Sequence, residues 1–229
     1  MSSTATSSTL ARRAVWLRPE LKSPPAGAPA VATEASLRVQ IETLGACNRR
    51  LSRQLLRLKQ AVTLARFAAA HDVLTGLANR ALLLDRLEQA FIRAARSHTS
   101  VALLLLDVDN FKSINDRFGH AAGDDLLREV AGRLSDSVRR GDTIGRYGGD
   151  EFVIVLPDID AAAAVTVADR VAQKTRVALA APYTIEGVVL EITASVGIAV
   201  YRTAKQSSAE LLRQADAAMY RAKSAAQHA

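Results

Sequence analysis

The chain has 229 residues, with 30 Lys/Arg against 23 Asp/Glu, which leaves room for one ordinary domain plus extensions. Its single cysteine, Cys47, excludes an internal disulfide framework, and His71, His98, His120 and His228 lack zinc-ligand spacing. No apolar run approaches the ~18 residues of a membrane span, and the N-terminus lacks a signal-peptide core, so a soluble cytoplasmic protein with no membrane partner is expected.

The basic excess is confined to the first third: residues 1–70 carry 11 Lys/Arg and 3 Asp/Glu, the remainder 19 and 20. Residues 1–33 are rich in Ser, Thr, Ala and Pro, with Pro24, Pro25 and Pro29 blocking helix. Such a segment buries too little apolar surface to order itself, so a disordered tail is expected. Over residues 34–70 a stripe alternates by four and three: Leu37, Ile41, Leu44, Asn48, Leu51, Leu55, Leu58, Val62, Ala65 and Ala69. With Ile41, Asn48, Leu55 and Val62 at a and leucines at d, it predicts a parallel, two-stranded coiled coil. The competing reading is a lone helix packed on the next domain, but the stripe is narrow and sustained, which favours a homodimer. Arg49, Arg50, Arg53, Arg57 and Lys59 lie off the seam and read as a solvated face, so nucleic acid is not an expected partner.

Downstream, a helix is expected over Arg80–Arg96, then a strand over Val101–Asp107. The run Val101–Leu106 is too short for a helix of its own and reads as a strand buried on both faces. It ends in Asp107, a carboxylate at the edge of a dry core, which suits Mg²⁺ held by few protein ligands and several phosphate oxygens. Asp109 reads as the cap of the next helix. Asn115 and Asp124, separated by Phe118-Gly119-His120, form an amide and a carboxylate that could read a purine edge, or simply two capping residues. Two helices are expected through Arg140, followed by Arg139-Arg140-Gly141-Asp142.

Next comes Arg146-Tyr147-Gly148-Gly149-Asp150-Glu151-Phe152 between strand-like segments, Thr143–Tyr147 and Glu151–Leu156. It reads as a tight β-hairpin in which glycine supplies positive φ and admits a ligand close to the backbone. Adjacent carboxylates at the tip repel unless a cation lies between them. Consecutive strand residues point to opposite faces, so a shared metal requires Asp150 to stay in the turn. A helix over Asp160–Ala180, strands at Tyr183–Glu186 and Val188–Tyr201, and a helix over Ser208–Ala225 complete the chain. Helices stacked on one side of a mostly antiparallel sheet give an α+β, ferredoxin-like core preceded by a long coiled-coil helix.

Together these segments resemble the GGDEF family of diguanylate cyclases. Gly148–Phe152 match its name motif, Asp72-Val73-Leu74-Thr75-Gly76-Leu77-Ala78-Asn79-Arg80 its opening motif, and Asp107–Asp124 and Asp216–Lys223 its intervening and closing segments. The resemblance implies a palm-like domain over residues 71–229 that condenses two GTP into cyclic di-GMP. It implies that Asp107, the Val108 carbonyl, Asp150 and Glu151 hold Mg²⁺, with Asp150 accepting the proton of the attacking ribose hydroxyl. Asn115 and Asp124 would select guanine, Gly149 would admit the substrate, and Lys112 and Lys223 would contact phosphates. Arg139 and Asp142, five residues short of Gly148, match the family's inhibitory R-x-x-D site, with Arg170 in support. One departure stands out: the family closes on an arginine where this chain has Gln227, which marks the alternative of a degenerate domain that senses GTP or cyclic di-GMP.

Overall fold

The computed structural model describes residues 34–185, 187–201 and 206–227, so the expected tail over residues 1–33 lies outside the described residues. The chain divides into two compact units, Met1–Leu56 and Arg57–Ala229. Helix α1 (Glu34–Ala70), none of whose residues is buried, supplies the described residues of the first unit and the opening ones of the second. Its seam residues Leu37, Ile41, Leu44, Leu51 and Leu55 are all exposed.

The second unit is built on a four-stranded antiparallel sheet. Helix α2 (Arg80–Ser97) leads into β1 (Ser100–Val108), α3 (Phe111–Ser137), β2 (Thr143–Arg146), β3 (Glu151–Ile159) and α4 (Ala164–Ala180). A hairpin of β4 (Tyr183–Ile185) and β5 (Val188–Leu190) precedes β6 (Ala194–Val200) and α5 (Ser208–Gln227). The main sheet runs β2-β3-β1-β6, which with α3 and α4 as connections is the ferredoxin-like β-α-β-β-α-β arrangement.

Strand β1 is central because its leucines serve both faces. Leu104 and Leu106 join Phe152, Ile154, α3 and α4 in one core. Leu103 and Leu105 join Val153, Val155, α2 and α5 in the other. Each fully buried leucine contributes roughly 2 kcal/mol. Helices therefore cover both faces, which corrects the expectation of helices on one side. A strand apolar at every position has no face to leave in water.

Two boundaries differ from expectation. The segment expected as one strand over Val188–Tyr201 is two, β5 and β6, and in the stretch between them the Thr193 hydroxyl donates to Asp109. Helix α4 starts at Ala164 rather than Asp160, since the Asp160 carboxylate accepts from the Ala162 and Ala163 amides and makes a turn of its own. The two helices expected before Arg140 are present within α3, separated by a kink at Gly119, where φ is 86° and ψ 163°.

Candidate active site

The alternation that buries Leu103 and Leu105 against α5 carries Asp107 to the same face. Glu151 stands directly opposite Asp107 in the β1–β3 register, so both carboxylates share one side of the sheet. Asp150 precedes the first residue of β3 and stays in the turn. Its carbonyl accepts from the Val108 amide at 3.2 Å, which pins the turn to the end of β1. The geometric condition for Asp150 and Glu151 to serve one centre is met.

Helix α5 adds the cation. Leu211, Ala215 and Met219 pack in the core, and Lys223, one turn further along the same stripe, donates from Nζ to Asp107 Oδ1 at 2.6 Å. This bond lifts the Lys223 pKa, against the opposing effect of burial. Burial, then the charge of Asp107, pushes Asp150 up from the ordinary carboxylate value. Glu151 is raised by burial, then by Asp107, Asp150 and Asp216. The cluster thus holds negative charge that one ammonium does not satisfy, at oxygen donors of the kind Mg²⁺ prefers. Among the described residues no three His, Cys, Asp or Glu side chains converge into a ready metal cage. The donor set fits a cation that takes protein carboxylates together with backbone and substrate oxygens, rather than an all-side-chain site.

The turn is shaped by two glycines, neither of which adopts the positive φ expected from sequence. Gly148 lies close under Glu151: a Cβ there would be 2.7 Å from Glu151 Oε2, the movable end of that side chain. Gly149 faces open space, with nothing within 4 Å of an added Cβ. Arg146 holds the turn from behind, donating through Nε and Nη2 to the Gly149 carbonyl at 3.0 and 2.7 Å. Its Nη1 reaches Asp72 at 3.2 Å. Burial raises the Asp72 pKa, but hydrogen bonds from the Thr75 hydroxyl and amide and from Arg146 outweigh it and leave the carboxyl below its usual value.

Asn115 is half-buried on the first segment of α3, and its Oδ1 is buried with no partner. A Cβ on Gly123 would lie 1.9 Å from that oxygen, so Gly123 is the cradle for the amide and Asp124, exposed, is the next residue. The unpartnered amide oxygen and the exposed carboxylate are both hydrogen-bond acceptors that could take a ligand's donors. Lys112 is exposed on the same segment and makes no hydrogen bond or ion pair among the described residues. Asp109 does not cap α3, contrary to expectation: its carboxylate accepts from Thr193 Oγ1 at 2.6 Å and Ser195 Oγ at 2.7 Å. The N-cap position belongs to Asn110, left-handed and without a side-chain cap bond. The side chain of Gln227 lies outside the described residues.

Away from this cluster, Arg139 and Asp142 are bonded to each other, Nε to Oδ1 at 2.9 Å. Both line a cavity of about 310 Å³ together with Arg170. Sequence reasoning passed over Arg146, Asp72 and Gly123. Arg146 and Asp72 lie inside quoted motifs, but nothing local told that they meet.

The fold and site define an α+β domain whose carboxylates gather where a central strand meets a glycine hairpin. The family described as diguanylate cyclase, GGDEF domain, matches residues 69–229, and the chain belongs to that family. It is 42% identical over 190 residues to the bifunctional diguanylate cyclase/cyclic di-GMP phosphodiesterase MucR of Pseudomonas aeruginosa, covering 83% of this chain and 26% of MucR. It is 38% identical over 163 residues to the response regulator PleD of Caulobacter vibrioides, covering 70% of this chain and 35% of PleD. The chain therefore spans only 26–35% of the length of these relatives. Among solved structures, the coiled coil and GGDEF domain of DgcB from Caulobacter crescentus, in complex with c-di-GMP, superposes with a TM-score of 0.70 at 30% identity. That match covers 80% of this chain and 95% of DgcB's. No helix among the described residues is long and apolar enough to cross a membrane.

Proposed function

We propose that the chain is a cytoplasmic, Mg²⁺-dependent diguanylate cyclase that joins two GTP into cyclic di-GMP with release of pyrophosphate. The observation that carries this reading is Asp107 opposite Glu151, with Asp150 held in the adjoining turn. Bound divalent cations would polarise the α-phosphate and offset charge on the departing pyrophosphate. Asp107, the Val108 carbonyl, Asp150 and Glu151 are the residues that would hold them. The remaining roles follow from the chain's own groups. Asp150 would accept the proton of the ribose 3′-hydroxyl. Lys223 and Lys112 present ammonium groups to the phosphates, and Asn115 with Asp124 receives the guanine edge. Gly149 leaves the approach open.

Each domain binds one GTP, so ring closure needs two sites face to face. The exposed seam of α1 supports a parallel homodimer that brings two catalytic domains to the same end, at an effective concentration on the order of millimolar. Product inhibition through Arg139, Asp142 and Arg170 completes the reading, supported by their shared cavity. The domain division follows: a tail over residues 1–33, a coil over 34–70 and a catalytic domain over 71–229.

The test is incubation of the purified chain with GTP and Mg²⁺, followed by separation of the nucleotides. Cyclic di-GMP and pyrophosphate are expected. Recovery of unreacted GTP from a protein that still binds cyclic di-GMP would instead establish the degenerate sensor to which Gln227 points.

A further inference from the structure

We infer that Lys174 is an additional ligand of the product-binding cavity, where its ammonium holds a phosphodiester of cyclic di-GMP; this rests on the inhibitory reading of Arg139 and Asp142. Val167, Arg170, Val171 and Lys174 recur on α4 at helical spacing and line the same cavity of about 310 Å³ as Arg139 and Asp142. The cavity lining carries three cations and one acid, and the acid is already matched. The Asp142 side chain is only 3% exposed and pairs with Arg139. Arg139 also donates from Nη2 to the Pro157 carbonyl at 2.7 Å. The charge left over is that of Arg170 and Lys174, one turn apart on α4. Arg170 makes no ion pair or hydrogen bond among the described residues, and Lys174 makes one among them, a 3.5 Å contact to the Asp136 carbonyl.

Two uncommitted positive charges face a ligand that carries two phosphodiesters. Val138, Leu156, Val167 and Val171 supply an apolar wall against which a base can lie. The cavity is at the small end for a ligand pocket, so it takes one base and its phosphodiester while the rest of the dinucleotide stays outside. A lysine suits the phosphodiester, because a rotatable ammonium has no fork with which to read a base edge. Leaving Asp136 costs little, since 3.5 Å is a long hydrogen bond.

The test compares the intact chain with Lys174→Ala, Lys174→Arg and Arg139→Ala. Cyclic di-GMP is titrated into each by calorimetry and into GTP turnover at low and high salt. Lys174→Ala is expected to raise the half-inhibiting concentration about tenfold and to flatten its salt dependence, whereas Lys174→Arg keeps both near the parent. A purely structural lysine would leave the salt dependence unmoved. Parent-like inhibition and salt response in Lys174→Ala, with inhibition lost in Arg139→Ala, overturns the role of Lys174 and leaves the inhibitory reading intact. Parent-like inhibition in Arg139→Ala overturns the inhibitory reading itself, and the lysine inference with it.

Discussion

Asp107 on β1 and Glu151 on β3 occupy directly opposed positions of an antiparallel pair, so two carboxylates share one face where like charges destabilise. Lys223 answers only part of that charge, through Asp107. The fold therefore carries a local penalty that a bound cation would relieve.

Removing one carboxylate should separate stability from function. Asp150→Asn is expected to lower cyclic di-GMP formation at least about 100-fold, while raising the metal-free melting temperature by about 2 °C through relief of repulsion. Steady-state assays and scanning calorimetry of the same preparation check both. A melting temperature that falls together with activity would show that Asp150 is needed for packing rather than for the cation.

The same carboxylates give a pH signature. Asp150 and Glu151 are raised above ordinary values of 3.8 and 4.5. A carboxyl raised in the folded state contributes stability below its unfolded pKa, and loses it as pH rises through the folded value. The metal-free chain thus bears its penalty above that value, where both groups are charged. Stabilisation by Mg²⁺ should grow as pH rises from the ordinary carboxylate values toward neutrality, measured as the melting shift on adding the ion. An Mg²⁺ shift of equal size at both ends of that window contradicts the assignment.

Arg146 joins Asp72 to the Gly149 carbonyl, so Arg146→Gln should loosen the hairpin without touching its carboxylates. Turnover is expected to fall about tenfold, with a loss of roughly 1–2 kcal/mol in stability. The depressed pKa of Asp72 makes its contribution present above its unfolded value near 3.9 and lost as pH falls through the folded one. Chemical denaturation should therefore show a larger difference between parent and variant at pH 7 than at pH 3.

Gly123→Ala places a methyl group where Asn115 Oδ1 now lies, which turns the amide away from any bound base. The expected result is a rise of about tenfold in KM for GTP with kcat less affected, because base contacts are uniform binding. A fall in kcat at unchanged KM would place Asn115 outside base recognition.

Leu51→Glu combined with Leu58→Glu puts charge into the seam of α1. Activity per domain should drop, most steeply at low protein concentration, and sedimentation should show monomer. Full specific activity in a monomeric variant would remove the link between coil and catalysis.

Much of the fold was legible because its signals are local. The unbroken run Val101–Leu106 announced a strand buried on both faces, and the glycine pair announced the hairpin that delivers Asp150 and Glu151. The reading of Asp109 as a cap failed because its partners, Thr193 and Ser195, lie 84 and 86 residues away. The positive φ expected of Gly148 is absent, and what approaches that glycine is the Glu151 carboxylate, a residue of the next strand.

By itself the sequence determined the strands, the helix periodicities, the acidic hairpin and the family, since periodicity, turn residues and motif spacing act over a few positions. Only the tertiary structure decided that helices cover both faces, that Lys223 meets Asp107 across 116 residues and that Arg146 meets Asp72 across 74. Those meetings depend on how buried faces stack, and stacking is settled by packing between elements that carry no local record of one another.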